Sequence, residues 1–242
     1  TFKPSNFTSF INNKIDQGEV NTKIEIYIDN NNLLDNFIVR GSVSNLSAEI
    51  LKNITLKKTK FNFFADRTDI ILKNISGEAG PFKIIDGDLK VQLTDEILLE
   101  TNFKTNIKYT NKFSNYKNLI KDLNFAKNLT SLNAELNNNF FINFDQTYKV
   151  KKYNYKSNGK IIKANFKFNK FFKNSFFEEK VDYLTLIDSE IKSSFSSKNK
   201  NAAISGKYSL NKDNSLPFNL ESIIEKELTN FKFKADYKKP FK

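Results

Sequence analysis

One pattern constrains this chain more than any other: apolar and polar residues alternate with a period of two, in segment after segment. In Lys23-Ile24-Glu25-Ile26-Tyr27-Ile28-Asp29 three isoleucines share one side, and charges take most of the other. From Ile97 to Tyr109 the positions Ile97, Leu99, Thr101, Phe103, Thr105, Ile107 and Tyr109 point one way, and Leu98, Glu100, Asn102, Lys104, Asn106 and Lys108 point the other. Leu132, Ala134, Leu136, Asn138, Phe140, Ile142 and Phe144 repeat the arrangement. Shorter runs occur at Phe37–Val43, Thr59–Ala65, Leu89–Leu93, Ile162–Phe168, Ala202–Leu210 and Phe231–Tyr237. Strands with one apolar and one wet face belong to antiparallel sheets, since parallel strands are apolar on both sides. The expectation is therefore a mainly β chain: a long, antiparallel, strongly twisted sheet forming an elongated groove.

Turn chemistry is expected at Asp86-Gly87-Asp88, at Ser157-Asn158-Gly159 and, as a longer connection, at Gly77–Pro81. Two segments depart from alternation and predict short helices. Ser5 can cap a helix over about residues 5–16 that carries Phe7, Phe10, Ile11 and Ile15 and ends before Gly18. Ser114 can cap a helical insertion over about 114–126 that carries Tyr116, Leu119, Ile120 and Leu123. Leu220–Leu228 reads as strand and loop. No Pro- or Ser-rich linker divides residues 1–242, which are read as one segment.

Composition then removes chemistry. The chain has no His and no Cys, so imidazole or thiol catalysis, disulfides and zinc, haem or iron–sulfur ligation of the usual kind are excluded. The glycines are dispersed and form no phosphate-cradling loop, so no cofactor is expected. The carboxylate pairs Asp95-Glu96 and Glu178-Glu179 read as solvated surface charge. The Asn-X-Ser/Thr triplets at Asn6, Asn45, Asn53, Asn74 and Asn128 read as chance in an Asn-rich sequence. An enzyme is the least supported class. Net charge is +12, yet only Arg40 and Arg67 are arginine, which argues against bidentate phosphate or base recognition. No apolar run reaches the length of a membrane-spanning helix. A start at Thr1 and the absence of Met lead to the expectation of a fragment or processed product, with any anchor or export signal upstream.

The apolar strand faces are the feature with functional content. A closed sandwich would bury them against a second sheet, whereas an open sheet would leave a strip able to shield acyl chains. Candidate lining residues are Ile24, Ile26, Ile28, Phe61 and Phe63 in the first third. Leu99, Phe103, Ile107, Leu136, Phe140, Ile142 and Phe144 follow in the middle, then Phe166, Phe168, Phe231 and Phe233. A structural or adhesion sandwich of the cell envelope and a basic nucleic-acid-binding β domain stay open as alternatives.

Phe10-Ile11, Gly18-Glu19-Val20, the segment Lys23–Asp29 and Asn36–Val43 follow one another in a recognisable order. Phe61–Asp66, Ile75-Ser76-Gly77 and Lys83–Gly87 complete the series. This succession, over about residues 5 to 95, resembles the central region of the YhdP-type branch of the AsmA-like proteins of Gram-negative bacteria. The resemblance implies an internal segment of a periplasmic β-groove, anchored in the inner membrane elsewhere in its chain. It also implies phospholipid as the partner, passing between inner and outer membranes, with no catalytic residue to carry over.

Overall fold

The computed structural model describes residues 14–51, 54–116, 128–168, 181–197, 199–211, 214–225 and 228–236. These form an antiparallel sheet of twelve strands whose spatial order is their order in sequence. The strands are β1 (Ile15–Ile28), β2 (Leu34–Leu51), β3 (Ile54–Ala65), β4 (Asp69–Ala79), β5 (Phe82–Leu93) and β6 (Ile97–Thr110). After them come β7 (Leu129–Phe144), β8 (Val150–Lys167), β9 (Tyr183–Ser196), β10 (Asn199–Leu210), β11 (Leu216–Glu225) and β12 (Leu228–Ala235). The predicted antiparallel, mainly β class is thus what forms, and strands of up to 18 residues are about three times the usual length.

The helical expectations fare differently. Residues 5–13 and 117–126 lie outside the described residues. Ile15 and Asp16, expected at the end of the first helix, are strand, and so is Gly18, expected to stop it. Near the second, Asn111–Tyr116 form a short 3-10 stretch broken at Phe113, and Asn128 is a lone 3-10 residue. Leu216–Glu225 and Leu228–Ala235 are strands, in keeping with the strand and loop expected over Leu220–Leu228.

Strand length arises from β-bulges. Asn45, Lys58, Asn74 and Asp188 lie inside strands with φ of 51°, 51°, 57° and 45°. Each left-handed residue adds one position to its strand and reverses the parity of the side chains beyond it. In β3 the inward positions are Ile54 and Leu56, then, after Lys58, Thr59, Phe61 and Phe63. In β4 they are Ile70 and Leu72, then Ile75, Gly77 and Ala79. The bulge keeps the apolar set on one side through a change of sequence parity. Two Asn-X-Ser/Thr triplets find their reason here: Asn45 and Asn74 are bulge residues, and Asn tolerates the left-handed region better than most side chains.

Two expected turns are corrected. Asp86-Gly87-Asp88 and Ser157-Asn158-Gly159 run through the middle of β5 and β8. Their glycines serve close approach: a Cβ on Gly87 would stand 2.2 Å from Phe103 Cδ1, and one on Gly159 would stand 2.0 Å from the Glu135 carbonyl oxygen. The real turns are built by aspartate. Asp29 Oδ1 accepts the amides of Asn31 and Leu33 between β1 and β2, and Asp145 Oδ1 accepts those of Thr147 and Lys149 between β7 and β8. Gly80-Pro81 does close the β4–β5 connection, with Gly80 at φ 57°.

The chain divides into two compact units, Thr1–Thr105 with Asn139–Tyr153, and Asn106–Asn138 with Asn154–Lys242. Strands β6, β7 and β8 supply residues to both.

Candidate functional site: an apolar face in each unit

Strand register converts alternation into rows. In the first unit Ile24 faces Val39, Val39 faces Ala65, Ala65 faces Ile70, and Ile70 faces Val91. The next row joins Thr22, Gly41, Phe63, Leu72 and Leu89. Val20, Val43 and Phe61 begin a third. Directly opposed residues share a face of the sheet, so these rows make one side of five strands apolar. Gly41 is needed in its row because a Cβ there would lie 2.0 Å from the Asn21 carbonyl oxygen.

The second unit repeats the construction with different residues. Gly159, Ile191, Ile204, Leu220 and Phe233 form one row across β8 to β12. Ala164, Leu186, Tyr208 and Leu216 form another, and Phe166, Leu184 and Leu210 a third. Tyr155 stacks on Phe195 with ring centroids 5.8 Å apart and 9° between planes, and Tyr208 meets Phe218 edge-on. A polar island interrupts this face: Asn138, buried, accepts hydrogen bonds from Tyr155 Oη at 2.9 Å and Ser157 Oγ at 3.0 Å.

The opposite faces carry charge. Lys23, Arg40, Phe64, Ile71 and Lys90 form a row in the first unit; Lys160, Glu190, Ser205, Asn219 and Lys234 form one in the second. Ion pairs such as Lys73–Asp88 at 2.7 Å and Lys160–Asp188 at 3.0 Å stud the surface. Beside the charge in the second unit, Asn165 donates to Ser131 Oγ and accepts from Thr185 Oγ1 on the neighbouring strand.

Most residues of the apolar rows are half-buried, although Val43, Ala164 and Phe166 are buried. Among the described residues the largest side chains with almost no exposure are Thr59 and Ser189, a threonine and a serine. A sheet clamped under a second layer would reserve such positions for Leu, Ile and Phe. Here Phe61, Phe63, Leu72, Leu99, Phe103 and Leu136 are half-buried.

The predicted lining residues therefore separate. Ile24, Ile26 and Ile28 stand on the edge strand at 58–63% exposure. Phe61 and Phe63 lie inside the apolar rows, edge-to-face with each other. Phe103 lies between exposed Asn102 and Lys104 on β6 and closes over Gly87, while Leu99 follows half-buried Leu98 and precedes exposed Glu100. Ile107 and Phe166 are buried and belong to the packed part of the sheet. Phe140 is exposed, while Leu136, Ile142 and Phe144 are half-buried along β7. Phe168 falls just beyond β8, its amide held by the Asp182 carbonyl. Phe231 sits opposite Ser222, and Phe233 opposite Leu220 with 65% exposure.

The remaining polar candidates have structural partners. Glu96 accepts from Lys151 Nζ at 2.6 Å and from Asn143, which together hold its carboxyl below the ordinary range. The Asp95 carbonyl accepts from Gln146. This pair braces one turn against another; Glu178-Glu179 lies outside the described residues. Both arginines are also occupied, Arg40 by Glu25 and Arg67 by the Asp35 carbonyl. Leu72, Ile191 and Leu220 are face-forming residues that alternation alone did not single out; cross-strand register reveals them.

A scan of protein-family models finds no match to this chain, and searches among curated proteins and among solved structures likewise return none.

Proposed function

We propose that this chain is a non-enzymatic lipid-shielding segment, whose apolar sheet faces cover the acyl chains of phospholipids while the lysine-rich faces stay in water. The supporting observation is the set of apolar rows, two across five strands in the first unit and one across five in the second, most of whose residues are half-buried rather than buried. Five strands spaced about 4.8 Å apart make a row about 19 Å long. One acyl chain fills half of a bilayer core, about 15 Å, so a single row can seat one. Covering half the surface of ten methylenes is worth about 4 kcal/mol at ~0.8 kcal/mol for each fully buried group. Two adjacent rows, contacting both chains of one phospholipid, double it.

The resemblance to the AsmA-like proteins supplies the setting. On that reading the segment works in the periplasm as part of a longer chain anchored in the inner membrane. It carries phospholipid between the membranes without cofactor or catalytic group. Engagement of both arginines within the protein weighs against a nucleic-acid ligand.

The test is native mass spectrometry of the chain purified from bacteria without detergent, with parallel lipid extraction. Phospholipid at a reproducible stoichiometry is expected, lost in Phe103→Glu and retained in Lys104→Glu, with both variants folded by circular dichroism. A folded chain that carries no lipid, or a Phe103→Glu variant that keeps it, overturns the proposal.

A further inference from the structure

The formal charge of the chain is divided unevenly. The first compact unit holds 16 basic and 15 acidic side chains, a net +1, and the second holds 23 basic and 12 acidic, a net +11. Both arginines belong to the first unit, so every basic side chain of the second is lysine.

Register shows where the described part of this charge lies. Asn158, Lys192, Ala203, Glu221 and Lys232 form a row beside the one that runs from Lys160 to Lys234. The row of Lys156, Ser194, Asn201 and Ile223 precedes these two along β8, and the row of Lys163, Ile187, Lys207 and Pro217 follows them. Directly opposed residues share a face, and Lys207 stands two positions from Ser205 on one strand, so the four rows cover the polar side of the unit. From strand rise and spacing they span about 20 Å in each direction.

In the first unit many charges are matched: Lys23 and Arg40 meet Glu25, Lys58 meets Glu78, and Lys73 meets Asp88. In the second, Lys160 pairs with Asp188. Lys156, Lys163, Lys192, Lys207, Lys232 and Lys234 are exposed and, among the described residues, hold no carboxylate at ion-pair distance. A broad field of unmatched lysine fits a flat anionic surface. Lysine is a mobile point charge, whereas the phosphates of a nucleic acid are gripped best by the planar fork of arginine, which this unit lacks. No aromatic residue stands in the four rows to stack on a base. Screening at physiological salt acts over about 8 Å, so such a field holds only a partner brought against the face itself.

We infer that the polar face of the second unit docks on the surface of a bilayer rich in anionic phospholipid, through the ammonium groups of these six lysines. The inference concerns the face opposite the apolar rows and stands whether or not those rows carry lipid.

The experiment mixes the 242-residue chain with vesicles of phosphatidylcholine alone, or of phosphatidylcholine and phosphatidylglycerol in equal parts, and separates bound protein by flotation. Binding to the anionic vesicles only, falling as salt is raised, is expected. A lysine at an anionic surface strengthens binding about fivefold, so Lys192→Gln and Lys207→Gln should each lose about that much. Adding Lys156→Gln and Lys163→Gln should bring the loss to a hundredfold or more, on the order of fivefold for each lysine. The control combines Lys57→Gln, Lys60→Gln, Lys83→Gln and Lys149→Gln, all exposed lysines of the first unit. It carries the same net charge and should bind within about twofold of the unaltered chain, because distant charges are screened. Phe103→Glu should keep its vesicle binding even where it loses carried lipid, which separates failure of this inference from failure of the lipid-shielding reading. No binding to the anionic vesicles, an equal loss in the two combined variants, or displacement by single-stranded DNA that the chain then holds at higher salt overturns the inference.

Discussion

Asn138 shows how much one residue on an apolar face must be supplied with partners. Its side chain is buried between Leu136 and Phe140, where alternation calls for an apolar residue, and its Oδ1 satisfies two hydroxyls from β8. Replacing it by leucine leaves both hydroxyls without their acceptor, so Asn138→Leu should lower unfolding free energy by about 1–3 kcal/mol. Adding Tyr155→Phe and Ser157→Ala should recover most of that loss, which denaturant titration of the three chains would measure. Glu25 makes the complementary case in water. Hydrogen bonds from Lys23, Tyr27 and Arg40 lower its pKa from 4.5 to about 2. A folded-state value below the unfolded one gives a stabilisation present above about pH 4.5 and lost as pH falls toward 2. Carboxyl NMR should place its titration near 2, Arg40→Gln should raise that midpoint, and the stability gap to Glu25→Gln should close over the same acid window.

At the scale of the strand, glycine and bulge decide what alternation alone leaves undefined. A Cβ on Gly159 would meet the backbone of β7, which cannot step aside without breaking the ladder. A Cβ on Gly18 would stand 3.2 Å from Leu46 Cδ1, the end of a movable side chain. Gly159→Ala should therefore cost about 3 kcal/mol and Gly18→Ala less than about 1 kcal/mol, compared by chemical unfolding. Asn, Gly and Asp are the residues of turns as well as of bulges and close approaches. Residues 86–88 and 157–159 hence look like turns to local inspection while lying inside strands. The αL positions at Asn45, Lys58, Asn74 and Asp188 had the converse effect: each parity change looks like the end of a short strand and is the middle of a long one.

For the whole molecule, alternation was enough to identify an antiparallel, mainly β chain and to put Phe61 with Phe63, and Leu99 with Phe103, on one side of their strands. This follows because the direction of a side chain in a strand depends only on its parity. How deeply each residue sits was not legible. Ile107 and Phe166 carry the same alternation signal as Ile24 and Ile26, yet the first two are buried and the last two stand at an edge. Burial depends on which strands lie to either side, and that is a non-local fact. The same holds for Gly41 and Gly159, whose necessity exists only once a neighbouring carbonyl is 2.0 Å from where a Cβ would be.

Sequence by itself thus determined the antiparallel, mainly β class, the alternation within most strand stretches, and the exclusion of imidazole and thiol chemistry, because these follow from local covalent geometry and composition. Tertiary structure alone decided where bulges carry a strand past a parity change, the neighbour order, the cross-strand rows and how deeply each residue sits. An open sheet and a closed sandwich demand the same alternation. Only the pairing of distant strands, and the presence or absence of a second layer over them, tells the two apart.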